Sequence, residues 1–97
     1  MIPAIILHEA EIELWEAVVF YEIRCVGLGL DFKTEAQAAI EAIQRAPDRW
    51  AIREDGTRRY LIRRFPYVIV YHLHEDCVWL IAFAHCRRRP GYWSGRT

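Results

Sequence analysis

The feature that constrains this chain most is a change of hydrophobic period at Pro47. Upstream, from Ala10 to about Cys25, no glycine or proline interrupts the chain, and Ile12, Trp15, Val19 and Ile23 recur at helical spacing between Glu11, Glu13, Glu16 and Glu22. That pattern predicts an amphipathic helix with an acidic outer face, and places Trp15, Phe20 and Tyr21 in the core. Gly27-Leu28-Gly29 supplies a permissive connection. A second helix then begins near Asp31, carries Phe32, Ala36, Ile40 and Ile43 on one face, and ends at Pro47. So short a joint predicts an αα-hairpin.

Downstream the period becomes that of strands: Arg58–Arg64, Tyr67–His74 and Val78–His85, with short joints at Phe65-Pro66 and Glu75-Asp76. Strands so connected pair as an antiparallel meander. Pro3–Leu7, short and apolar, reads as one more strand at the start. The expectation is an α+β fold of order β-α-α-β-β-β, with the helical hairpin packed on a small antiparallel sheet.

A chain of 97 residues is expected to be one domain, 1–97, since two cores of half this size would not outweigh their conformational entropy. More than half of its residues are apolar (54%), so a packed core follows rather than disorder. Cys25, Cys77 and Cys86 are odd in number and unrelated in spacing, which predicts neither a disulfide framework nor structural zinc. The N-terminus turns acidic before it reaches signal-peptide length and no run approaches a membrane span, so the chain reads as cytoplasmic with reduced thiols.

Net charge is zero, but it is unevenly distributed. Residues 1–48 hold three cations (Arg24, Lys33, Arg45) against nine acids, a balance of −6; residues 49–97 hold ten arginines against Glu54, Asp55, Glu75 and Asp76, a balance of +6. Arginine in place of lysine throughout the second half suits bidentate contact with phosphate or carboxylate. Arg87-Arg88-Arg89 is the densest run, with a solvated chain end as the alternative to a binding surface.

Several local wordings resemble the RelE/ParE toxin superfamily: Trp15-Glu16-Ala17 with Phe20-Tyr21-Glu22, Gly27-Leu28-Gly29, Ala39–Ile43 before Pro47, and above all RRFPYVIVY at 63–71 and HCRRRPGYW at 85–93. The resemblance runs from about residue 4 to residue 93 and is strongest to the plasmid-stabilisation branch. It implies a growth-inhibiting toxin, a cognate antitoxin protein as partner, and a basic concave sheet surface for the target. That superfamily divides between members that cut mRNA on the ribosome and members that inhibit DNA gyrase without catalysis, on one fold.

RNA cleavage needs a group to take the 2′-hydroxyl proton, cations for the phosphorane charge and an acid for the leaving oxygen. His85 offers an imidazole, Arg87 and Arg64 a phosphate clamp, and Tyr92 stands where RNA-cleaving relatives carry a tail aromatic. Arg58, Arg59, Arg63, Arg88 and Arg89 would then hold the nucleic-acid backbone, with Trp93 either a base-stacking platform or an apolar plug under the tail. Against cleavage, Val68 stands where cleaving relatives often carry a strand arginine.

The strand arginines also have a plainer use in keeping a sheet edge from pairing with its like. His72 and His74 share a strand face but lack a third ligand, and His8-Glu9 lacks the second histidine of a zincin, so no metal or other cofactor is expected. Cys86 reads as a free thiol. A non-toxic nucleic-acid-binding module and a degenerate toxin that only binds its antitoxin complete the readings.

Overall fold

The computed structural model describes residues 1–96. Its elements are β1 (Ala4–Ile6), α1 (His8–Arg24), α2 (Leu28–Arg45), β2 (Arg58–Leu61), β3 (Tyr67–His74) and β4 (Cys77–His85). The sheet order is β1-β4-β3-β2. The three later strands form the expected antiparallel meander, with Arg59 opposite Val70 and Val68 opposite Ala84. β1 joins from the other end of the sequence and runs parallel to β4, Ala4 opposite Val78, so the sheet is mixed.

Three boundaries differ from expectation by two residues or more; one is the start of α2, which begins at Leu28 instead of near Asp31, so that Gly29 lies inside the helix. α1 starts at His8, two residues early, with Glu9 and Glu11 in its first turn, where carboxylates complement the helix dipole. β2 stops at Leu61 instead of continuing to Arg64, because Pro66 has no N–H for the ladder and the chain must reverse before it. The reversal is closed by Ile62 N–H donating to Tyr67 O at 2.9 Å, and Arg64 takes the left-handed conformation at φ 71°.

A larger correction concerns which face of α1 is inside. The residues against the fold are Ala10, Glu13, Leu14 and Ala17, whereas Ile12, Trp15, Val19, Phe20 and Ile23 are exposed. Trp15 and Phe20 are therefore surface residues, and only Tyr21 of the expected aromatic trio is half-buried, stacked on Phe32 at 5.5 Å between ring centroids. Small side chains win the inner face because the helices approach closely there. A Cβ at Gly29 would lie 2.5 Å from Val18 O and 2.9 Å from Glu22 Cβ. The connection itself turns at Gly27, φ 90°, and the Glu22 carboxylate accepts the N–H groups of Gly27 and Gly29.

The sheet is apolar on both faces. On the helix side Phe32, Ile43, Ile69, Tyr71 and Leu80 are buried. Opposite them lie Val70, Ile81, Ala82, Ala84 and Trp93. A register shift makes this second face wider: Val70 pairs with Ala82 but Tyr71 with Leu80, which leaves Ile81 unpaired and on the same side as Ala82. The tail, 87–96, covers part of that side.

Candidate functional site

The tail is held by one carboxylate. Glu13, 8% exposed, accepts the backbone N–H of Phe83 (3.1 Å), the Tyr92 hydroxyl (2.6 Å) and two Arg96 nitrogens (2.9 and 3.2 Å), with Arg88 at 3.4 Å. Arg96 also donates to Ile81 O at 3.0 Å. Burial, and then its bond to Glu13, push the Tyr92 phenol well above its ordinary pKa, while Arg96's own bond to Glu13 raises that of the guanidinium. A buried ion is tolerated only when its lone pairs are filled this completely. Neither Glu13 nor Arg96 stands out in the sequence as a functional residue. The available signal for Glu13 was an acid spaced three and four residues from Ala10 and Ala17, on the face they share.

Beneath the tail, Trp93 is an apolar plug, buried with Val70, Ile81, Ala82 and Ala84. The Arg59 guanidinium lies 4.9 Å from the indole centroid. Between β2, β3 and the tail runs a groove of about 270 Å³, floored by Leu61, Val68, Ala84 and Trp93 and flanked by Arg53, Arg59 and Arg88, with His85 and Cys86 at its lining. Burial, and then the neighbouring charge of Arg53, lower the Arg59 pKa. Among the described residues Arg59 Nε and Trp93 Nε1 are buried donors without a hydrogen-bond partner. Asp55, beside Arg53 in the loop, is bonded by Thr57 Oγ1 at 2.6 Å and Thr57 N at 3.0 Å. Those bonds hold its carboxyl below the ordinary value, with smaller help from the nearby indole and from Arg59. Guanidinium groups at the rim of a groove have the chemistry to hold an anion, either phosphate or carboxylate.

The remaining candidates are dispersed. Arg64 faces α2, where it pairs with Asp31 (3.6 Å) and Glu35 (3.8 Å). Arg58 donates to the carbonyls of Asp48 and Trp50, at 3.2 and 2.7 Å, and fastens the 46–57 loop. Arg63, Arg87 and Arg89 are exposed. Arg88 divides its guanidinium between Glu13 and the Tyr92 ring, 3.6 Å from its centroid. His85 packs on Tyr67, 5.1 Å between centroids, and its Nδ1 accepts the Arg87 N–H at 3.0 Å. A neutral imidazole bonded this way carries its proton on Nε2, so the free nitrogen is a donor and not a base. The structure thus brings Arg59, Arg88, His85 and Trp93 to one groove, adds Arg53, and leaves Arg58 and Arg64 elsewhere.

His72 and His74 line a separate hollow of about 500 Å³ with Leu7, Trp79 and Arg96. No group of three or more metal-ligating side chains occurs among the described residues, and no helix there is long and apolar enough to cross a membrane.

No family model and no curated protein matches this sequence. Among solved structures, a chain of the chromosomal ParDE TA system from P. aeruginosa superposes with a TM-score of 0.75 at 14% identity, covering 88% of this chain and 96% of that one. The fold is RelE/ParE-like. In this RelE/ParE-like frame the arginine-flanked groove lies on the sheet face away from the helices.

Proposed function

We propose that the chain is the toxin of a type II toxin–antitoxin pair and that it acts by binding, in the manner of the gyrase-inhibiting members, and not by cutting RNA. The observation that carries this is the state of the four candidate catalytic groups. Tyr92 donates to Glu13, Arg64 is paired with acids of α2, and His85 has Nδ1 occupied, leaving Arg87 as an exposed cation with no acid–base pair beside it. Cleavage needs a base and an acid that converge on one phosphate, whereas inhibition by binding needs only a shaped cationic surface. The Arg53, Arg59 and Arg88 groove is such a surface, and an antitoxin segment bearing carboxylates would neutralise it by occupation. The likeness to a ParDE chain supports the same side of the division.

The test is induced expression with growth, mapped mRNA 5′ ends and plasmid supercoiling read from one culture. The expected result is growth arrest with intact mRNA and disturbed supercoiling, retained by His85→Ala and Arg64→Ala and lost with Arg59→Ala. New 5′ ends inside coding regions that vanish in His85→Ala would make the chain a ribosome-dependent nuclease instead. Normal growth would leave a non-toxic binding protein.

A further inference from the structure

The guanidiniums around the groove have acids beside them. On the side of the 51–57 loop, Arg53 and Arg59 also line an adjoining hollow of about 520 Å³ with Glu54 and Asp55, both exposed. Asp55 is fixed in place: its carboxylate accepts the N–H and the hydroxyl of Thr57, a residue only 5% exposed, and those bonds favour its charged form. One end of the cationic rim therefore carries negative charge. The aromatic faces are also taken. Trp93 is buried with the Arg59 guanidinium 4.9 Å from its ring centroid, and the Arg88 guanidinium lies 3.6 Å from that of Tyr92. What the groove leaves open is aliphatic: Leu61 is 63% exposed, with Val68 and Ala84 beside it.

We infer that Asp55 sets the specificity of the groove, admitting a protein segment that lays an aliphatic side chain on Leu61 between carboxylates and turning nucleic acid away. The occupant of that chemistry is the neutralising segment of the antitoxin, so the inference deepens the role given to the groove above and rests on it. A nucleic-acid strand carries a charge at every nucleotide, and a protein that binds it without reading sequence offers a continuous cationic track and open rings on which bases stack. Here the track is interrupted by Asp55 and Glu54, and the rings are covered. A peptide spaces its acids. It can set a carboxylate against Arg59 or Arg88, keep clear of Asp55 and bury an apolar side chain on the floor. A fixed repelling charge of this kind weakens the wrong partner more than the right one.

The test is fluorescence anisotropy with the purified full chain over a range of salt concentrations and two labelled probes. One is a short synthetic peptide with a leucine between two glutamates; the other is an oligothymidylate of about ten nucleotides. The expected result is that the chain binds the peptide roughly tenfold more tightly than the oligonucleotide at physiological salt. Asp55→Asn, which keeps an oxygen for Thr57, should tighten the oligonucleotide roughly fivefold and steepen its salt dependence by about one released ion, while the peptide changes less than about twofold. Glu54→Gln, at an exposed position, should act in the same direction and decides the matter where circular dichroism shows Asp55→Asn to disturb the fold. Arg59→Ala should weaken the peptide. Oligonucleotide bound by the unaltered chain as tightly as the peptide overturns the proposal. So does oligonucleotide binding indifferent to both acid substitutions, or a peptide that does not bind or does not respond to Arg59→Ala. Growth has no part in these measurements, so a harmless chain that shows the Asp55 effect would sink the toxin reading and leave the selectivity of the groove standing.

Discussion

At the scale of single residues, the informative side chains are the ones whose partners lie far away in sequence. Glu13 bonds to Phe83, Tyr92 and Arg96, so Glu13→Gln removes the charge that Arg96 is buried against. The expected cost is about 3 kcal/mol of stability, measured by urea unfolding. Tyr71 is fully buried and donates to Pro47 O at 2.6 Å; burial pushes its phenol up from 10.0 to about 12. The folded state therefore holds this proton more tightly than the unfolded one. The resulting stabilisation is complete below pH 10 and is lost as pH rises toward about 12. Unfolding scans across that range should show a decline that is shallower in Tyr71→Phe, with Tyr21, Tyr67 and Tyr92 supplying the remainder. None of this was legible in the sequence, because a glutamate in an acidic helix and a tyrosine in an apolar strand look alike whether or not a partner waits across the fold. The arginine cluster was legible as charge, but not as a division of labour between Arg59 at the groove, Arg64 on α2 and Arg58 on a loop carbonyl.

Elements were read better than residues. The period change at Pro47 correctly separated helices from strands, since helical and strand spacing are local properties of the chain. The inward face of α2 was also right: Phe32, Ala36, Ile40 and Ile43 are all buried. α1 failed because periodicity reports an apolar stripe without saying what lies opposite it, and the inner face is chosen by how closely α2 approaches. Gly29 makes that approach possible. Gly29→Ala would ordinarily favour a helix by about 1 kcal/mol, yet here the added Cβ meets Val18 O at 2.5 Å. The net expectation is destabilisation by roughly 2 kcal/mol, as for other overpacked sites, read from the shift in thermal midpoint. The parallel seating of β1 on β4 was likewise invisible, since three short apolar residues carry no record of their partner strand.

For the molecule as a whole, the arginines of the second half divide: Arg58, Arg64 and Arg96 fasten to acids or carbonyls, Arg53 and Arg59 flank the groove, and Arg63, Arg87 and Arg89 stay exposed. The Glu13 strap has a further consequence for how the chain reaches its native state. Its hydrogen bonds span 70 to 83 residues, and closing loops of that length is slow compared with forming a local helical hairpin. If the hairpin and meander assemble before the tail docks, the strap's bonds to Tyr92 and Arg96 are expected on the late side of the folding barrier. Bonds made that late brake escape more than they speed arrival. Glu13 is thus a lock on the folded state, setting how long the cationic groove survives once formed and having little influence on how quickly it appears.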